Sequence, residues 1–324
     1  MTLRSVWAIH PGHPERTPGP GARAGNIGRV TTSTEAVPRA AGLGLVPALL
    51  GLVRFSHTIF ALPFALAAAV LARMDVPRAS VLGWIALAMV GARSLAMALN
   101  RLIDADIDAR NPRTASRELP SGRLAVGQVV GFCLVSLLVL LVAVSQLPSE
   151  TWVLWPVPVV AFALYPLAKR VSWACHLALG LTIGIAPMGA WLAVTGDLGA
   201  APILLGLAVA LWIAGFDVIY ALLDVDFDRA HGVHSIPARF GEARALWFTR
   251  AFHVAAIALL AGAGAAADAG VLYFVGVAAC AAVLLVENAI VRPGDTRRVQ
   301  AAFAQSNGLL AIVFLAFTLA EVTL

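Results

Sequence analysis

Asn100-Arg101-Leu102-Ile103-Asp104-Ala105-Asp106-Ile107-Asp108 closes a long apolar run and sets three carboxylates within five residues. The pattern returns 120 residues later, at Tyr220-Ala221-Leu222-Leu223-Asp224-Val225-Asp226-Phe227-Asp228. If helical register runs through each stretch, residues four apart share a face, pairing Asp104 with Asp108 and Asp224 with Asp228. Like charges about 4 Å apart repel by roughly 4 kcal/mol at an effective dielectric near 20, so such claws call for cations between them or for protonation. Hard oxygen ligands suit magnesium, which holds one or two carboxylates and completes its shell with water and substrate phosphate. Two facing claws would grip a diphosphate through bridging metal ions. One acidic cluster at a helix end is equally well a solvated turn. The repeated spacing, each time after an apolar helix, favours a site.

Apolar residues make up 60 % of the 324-residue chain and charged ones 13 %. They gather into uncharged runs, several of which reach the roughly 20 residues that span a bilayer. The chain is therefore expected to be an all-α polytopic membrane protein. Nine helix candidates follow: 45–72, 80–103, 124–147, 151–168, 173–195, 201–223, 245–267, 270–290 and 300–322. Pro63 and Pro187 are expected to kink the first and fifth. The net charge of +5 sits mostly in short connections between apolar runs and forms no basic face for nucleic acid. Cys133, Cys175 and Cys280 lack metal-type spacing and read as small packing residues.

The connections after helices two, four, six and eight carry Arg101, Arg110, Arg113, Arg117 and Arg123; Lys169 and Arg170; Arg229, Arg239 and Arg244; Arg292, Arg297 and Arg298. The opposite connections carry Arg73 and Arg78. The positive-inside rule then puts both motifs and the N-terminus on the cytoplasmic side of the cell's inner (plasma) membrane. Residues 1–43, rich in Pro, Gly, Ala and Arg, read as a disordered cytoplasmic tail, and residues 44–324 as the transmembrane domain. Both motifs end even-numbered helices and share one orientation, which points to a parallel internal repeat of about four helices. The polar segments after them, 110–122 and 231–241, would form a lid.

Charged residues inside apolar runs are functional candidates because each costs about 2.5 to 3.5 kcal/mol on insertion scales. Arg93 lies seven residues before Asn100 and eleven before Asp104, on the same helix face and roughly 16 Å deeper. Asp217 stands in the same relation to Asp224. Arg93 and Asp217 either neutralise each other as a buried pair or serve an acceptor, the arginine binding its carboxylate and the aspartate orienting or deprotonating it. Arg54 either reaches the interface or joins them. Asn100 and Tyr220 stand at matching places and offer an amide and a hydroxyl. Lys169 and Arg170 either mark topology or add positive charge for a leaving diphosphate. His231 and His234 read as loop residues rather than metal ligands.

These residues resemble the UbiA family of intramembrane prenyltransferases, on Asn100-Arg101-x-x-Asp104-x-x-x-Asp108 and Tyr220-x-x-x-Asp224-x-x-x-Asp228. Asn111-Pro112-Arg113-Thr114, Arg117-Glu118-Leu119-Pro120-Ser121-Gly122 and His234-Ser235-Ile236-Pro237-Ala238-Arg239-Phe240-Gly241 are similar to the 4-hydroxybenzoate polyprenyltransferase group. Phe55-Ser56-His57-Thr58-Ile59-Phe60-Ala61-Leu62-Pro63-Phe64 resembles a branch assigned to menaquinone synthesis through futalosine. The resemblance implies a UbiA-type fold and transfer of a polyprenyl group from polyprenyl diphosphate to an aromatic acid, in ubiquinone or menaquinone biosynthesis. Asp104, Asp108, Asp224 and Asp228 would hold Mg2+, with Asn100 assisting. A cation-coupled transporter is the competing reading, but the acids gather at one membrane face instead of forming a relay across it. A phosphoalcohol transferase would need its aspartate groups close together in sequence.

Overall fold

The computed structural model of the protein describes residues 39–53 and 61–324. Arg54, Ser56, His57 and residues 1–38 of the expected tail lie outside the described residues. The described residues begin before position 44. The Ala40 N–H donates to Arg123 O at 2.8 Å and Gln128 Nε2 donates to Ala40 O at 2.9 Å, so the segment entering the first helix is tied to the end of the 111–124 loop.

The described residues are all-helical. Helices α1 (Leu45–Leu52) and α2 (Leu62–Leu71) fall within the first expected span. The long helix α3 (Ala79–Ile103) leads into the short α4 (Ala105–Arg110). Then come α5 (Val126–Val144), α6 (Ser149–Leu154), α7 (Pro156–Val171) and α8 (Cys175–Thr195). Helix α9 (Ala200–Ala221) ends in a 3-10 turn, Leu222–Asp224, followed by α10 (Val225–His231) and α11 (Ile236–Phe240). Three long helices close the chain: α12 (Glu242–Ala266), α13 (Val271–Ile290) and α14 (Thr296–Thr323). Seven helical segments among the described residues are long and apolar enough to cross a membrane, and Leu62–Leu71 and Asn307–Thr323 are shorter apolar helices. In hydrocarbon, backbone polar groups must be satisfied within the segment, which leaves helix as the outcome for such runs.

One expectation changes. Pro63 starts α2 rather than kinking a longer helix, as suits a residue whose missing N–H is not needed in the first turn. Pro187 does lie inside α8, and Pro166, not anticipated, lies inside α7.

Helix α9 is the most enclosed, packed against α8 and α12, while α3 packs on α5 and α13 on α14. The approach of α8 to α9 depends on glycine: a Cβ at Gly180 would run into the Ala210 carbonyl, and one at Gly184 into the Gly206 carbonyl. This is the small-residue spacing that lets membrane helices touch backbone to backbone. The main core lies on the far side of α9, where Phe64 stacks on Phe314 at 4.9 Å and meets Trp212 at 5.0 Å. Tyr273 is buried there with its hydroxyl donating to Leu260 O at 2.8 Å. The near sides of α3, α7, α8 and α9 are left lining open space.

Candidate active site

Both motif helices break at their first aspartate. Asp104 (φ −94, ψ 4) separates α3 from α4, and Asp224 (φ −119, ψ 8) separates the 3-10 turn from α10. Each helix bends there, and the first aspartate of each motif caps the short helix that carries the aspartate four residues on. At the first break the ladder continues, with Asp108 N–H donating to Asp104 O at 2.8 Å, so the chain bends without unwinding. All four aspartates still reach one cavity of about 340 Å³, which Asn100, Arg93, Lys169, Asp217 and Tyr220 also line. Asp106 and Asp226 are not among its lining residues.

Each motif carboxylate is held by the chain itself. Asp104, with its side chain 2 % exposed, receives Lys169 Nζ at 2.5 Å and Asn100 Nδ2 at 2.9 Å on Oδ2. Its Oδ1 is buried without a hydrogen-bond partner and lies 3.8 Å from Arg170 Nη2. Burial pushes the Asp104 carboxyl up, against the pull of Lys169. Asp108 takes Arg117 Nη1 on both oxygens, at 2.7 and 2.8 Å, with Arg101 Nη1 at 3.7 Å. Asp224 accepts from Arg113 Nε at 2.8 Å, from Arg113 Nη2, and from Asn111 Nδ2 at 2.9 Å. Burial would lower the Arg113 pKa, but the hydrogen bonds and charge attraction of Asp224 and Tyr220 together outweigh it and hold it above the usual arginine value. Asp228 accepts from Ser235 Oγ at 2.8 Å.

The first loop thus crosses the cavity from one motif to the other. Arg113 also donates to the Tyr220 hydroxyl at 2.7 Å and stacks over its ring at 5.0 Å. Asn111 supports it by accepting the Arg113 backbone N–H at 2.9 Å, a local turn of the kind Asn forms readily. The second loop is fastened through consecutive residues: His234 N–H donates to Lys169 O at 2.8 Å, and Ser235 holds Asp228.

Asp217 does not pair with Arg93. It accepts from His176 Nδ1 at 2.7 Å. Arg93 stands at the wall between the polar cavity and an apolar one of about 440 Å³, a wall it shares with Tyr165, Met97, Leu179 and Ile183. Arg170 is placed differently from expectation. It does not line the cavity but grips Asp106 from outside, at 2.8 and 3.2 Å, and Ile103 O at 2.5 Å. The hydrogen bond from Arg170 holds the Asp106 carboxyl down at about 2.

Two acidic motifs meeting in one polar cavity beside a lipid-sized apolar one is an arrangement that can be compared with known proteins. The chain matches the UbiA prenyltransferase family over residues 61–317.

The chain belongs to the UbiA prenyltransferase family.

Among relatives, this UbiA chain is 38 % identical over 180 residues to a 4-hydroxybenzoate solanesyltransferase of Synechocystis sp., covering 55 % of this chain and 61 % of the relative. It is 36 % identical over 188 residues to a mitochondrial 4-hydroxybenzoate polyprenyltransferase of Arabidopsis thaliana, covering 58 % of this chain and 46 % of that one. It thus spans less than two thirds of either relative's length. It is 30 % identical over 250 residues to a 4-hydroxybenzoate octaprenyltransferase of Tolumonas auensis, covering 77 % and 87 %. Among solved structures, the apo UbiA homologue of Aeropyrum pernix superposes with TM-score 0.74 at 33 % identity, over 82 % of this chain and 98 % of that one. An Archaeoglobus fulgidus homologue bound to GPP and Mg2+ shares the fold, with TM-score 0.66 at 17 % identity, over 86 % of this chain and 100 % of that one.

The UbiA site holds Tyr165 and His176, which the sequence reading did not single out, and Asn111, Arg113, Arg117 and Ser235, which it read only within the lid segments, the charged connections and the motifs of the resemblance. Tyr165 lies one turn before Lys169 on α7, a spacing that would have placed it on the same face. Nothing near His176 in sequence points to Asp217.

Proposed function

We propose that the protein transfers a polyprenyl group from a polyprenyl diphosphate to an aromatic acid, 4-hydroxybenzoate or a related one, in ubiquinone or menaquinone biosynthesis, with Mg2+ as cofactor. The observation that carries this reading is the single polar cavity to which both aspartate motifs contribute, sharing a wall with an apolar cavity. The acceptor named in the relatives' functions supports the choice of acid.

Five carboxylates (Asp104, Asp108, Asp217, Asp224 and Asp228) and five cations (Arg93, Arg101, Arg113, Arg117 and Lys169) line the polar cavity among the described residues. A diphosphate ester brings about three more negative charges into this balanced lining, so loading it calls for added cations. The donor set fits magnesium. The oxygens are hard, Asp104 Oδ1 is buried and unbonded, and no group of three or more potential ligands closes around one point among the described residues. Such a site suits an ion that takes one or two carboxylates and leaves the rest of its shell to water and phosphate. Asp104, Asp108, Asp224 and Asp228 would hold the ions, with Asn100 and Tyr220 beside them. When bound, the metal supplies charge neutralisation for the leaving diphosphate.

The chain's own groups do the rest. Lys169, Arg113 and Arg117, paired with motif aspartates in the structure, turn to phosphate oxygens as the site loads. The apolar cavity takes the isoprenoid chain. Arg93, at the shared wall, binds the acceptor's carboxylate, and Asp217 orients its hydroxyl or takes its proton. Ionisation of the allylic C–O bond gives a carbocation, which a ring carbon ortho to the hydroxyl attacks. Loss of the ring proton restores aromaticity. The loops 111–124 and 232–241 keep water from the cation. Arg54 remains a further candidate for the acceptor end, and Arg170 supports the site by holding α4 through Asp106 and Ile103.

The proposed topology counts nine crossings: the seven long spans plus α2 and α14. A parallel repeat is supported by the shared order of motif helix, break, short helix, loop and a long helix packed back on the first, α3 with α5 and α9 with α12. Both motifs and the N-terminus face the cytoplasm of the inner membrane. The relatives lend the transporter reading no support. The test is incubation of purified protein with prenyl diphosphates of graded length and a panel of aromatic acids, with products identified by mass spectrometry. A prenylated hydroxybenzoate is expected; turnover of no acid at any chain length would reject the function.

A further inference from the structure

His176, at the start of α8, is 2 % exposed and has both ring nitrogens engaged. The Ile236 backbone N–H donates to Nε2 at 3.1 Å. A backbone N–H can only donate, so Nε2 carries no proton and the ring is the neutral Nδ1–H tautomer. That proton points along the 2.7 Å bond to Asp217 Oδ2. The Asp217 side chain is 27 % exposed and lines the polar cavity, leaving its other oxygen for the site. The link runs on through the second loop: Ile236 follows Ser235, which holds Asp228, and His234, which is bound to Lys169 O.

We propose that His176 is a positioning residue for the acceptor half of the reaction, holding Asp217 in the rotamer that presents Oδ1 to the acceptor hydroxyl. The inference rests on the prenyl-transfer reading above and on Asp217 meeting the acceptor. A carboxylate with one oxygen fixed by a buried donor has a single direction for the other, and small misplacements of a positioned group are costly to rate. The second loop fixes the tautomer: seating Ile236 against Nε2 puts the proton on the nitrogen that faces Asp217. Loop closure and acceptor alignment are thereby coupled through one imidazole.

Side-chain topology supplies the test. Asparagine Nδ2 takes the bonded position of histidine Nδ1, so His176→Asn keeps a donor for Asp217 and loses the link to Ile236. Glutamine matches Nε2, so His176→Gln keeps the loop link and loses Asp217. Full-length wild type, both variants, Asp217→Asn and the His176→Gln, Asp217→Asn double variant are assayed in lipid nanodiscs with farnesyl diphosphate and 4-hydroxybenzoate. We expect His176→Gln to lower kcat/KM for the acid at least about tenfold with the KM for farnesyl diphosphate within about twofold. His176→Asn should stay within about threefold of wild type, and in the Asp217→Asn background the Gln change should add less than about twofold. Losses that multiply in the double variant, or an Asn variant that melts like wild type yet is tenfold impaired, would leave His176 a structural residue only. The Asn result alone decides if the Gln variant fails to fold. Wild type that prenylates no acid would overturn the function itself, and this role with it.

Discussion

Asp104→Asn separates catalysis from stability. The substitution keeps the shape of a side chain that is 2 % exposed but removes the charge that Lys169 Nζ meets at 2.5 Å. Removing one partner of a fully buried pair costs about 3 to 5 kcal/mol because the other charge is stranded. Here Lys169 is 27 % exposed toward the cavity and can be rehydrated, so the expected cost falls to about 1 to 2 kcal/mol. Asn100 can still hydrogen-bond the new amide, and the α3–α4 bend is made by backbone. The fold should therefore survive. Activity should not, because the carboxylate proposed to hold metal for the leaving diphosphate is lost; at about 3 kcal/mol or more of transition-state stabilisation, the rate falls at least about a hundredfold. Asp106→Asn is the internal control. Its side chain is 56 % exposed, it meets Arg110 and Arg170 at the surface, and screening limits such pairs to about 1 kcal/mol or less. The assay is magnesium-dependent transfer beside thermal unfolding in the same detergent. Comparable loss of activity in both variants would refute the assignment of Asp104 to the site and Asp106 to its exterior.

Arg93→Ala should raise the KM for the aromatic acid at least about tenfold and leave that for prenyl diphosphate unchanged, read by steady-state kinetics; an unaltered acid response would remove Arg93 from the acceptor end. Gly180→Ala, which sets a methyl group against the Ala210 carbonyl, should cost about 1 to 3 kcal/mol, seen as a lower melting temperature in detergent. For Asp106 the folded carboxyl is held at about 2, below its unfolded value near 3.9, so its pairing stabilises above the unfolded value and is lost as pH falls through about 2. The small gap in melting temperature between wild type and Asp106→Asn should then be constant from pH 7 to about 5 and close between about 4 and 2.

Much of the fold was legible because hydrocarbon leaves the backbone few choices. Helix α8, expected over 173–195, is Cys175–Thr195, and α13, expected over 270–290, is Val271–Ile290. The breaks at Asp104 and Asp224 were not legible, since neither motif contains the Gly or Pro that usually marks an interruption. The aspartates were found by their spacing; what gathers all four is the bend at each motif, across which the Asp108 to Asp104 backbone bond is kept, together with the loop carrying Arg113. That loop was visible as a run of arginines and read partly as topology, because a charge count cannot tell a cytoplasmic marker from a guanidinium that reaches Asp224 from 111 positions away. Arg170 and Lys169, adjacent in sequence, were read alike, yet on a helix successive side chains diverge by about 100°, and only Lys169 faces the cavity. The contact between His176 and Asp217 depends on α8 lying against α9, which glycines at 180 and 184 allow without naming the pair.

The most direct measurement is equilibrium binding of an unreactive prenyl thiodiphosphate to the purified protein with and without Mg2+, in wild type, Asp104→Asn and Asp224→Asn. If the two motifs form one metal-diphosphate site, wild type binds only with the ion, and each substitution weakens binding at least about tenfold. Metal-independent binding, or full affinity when either motif is altered, would contradict the account.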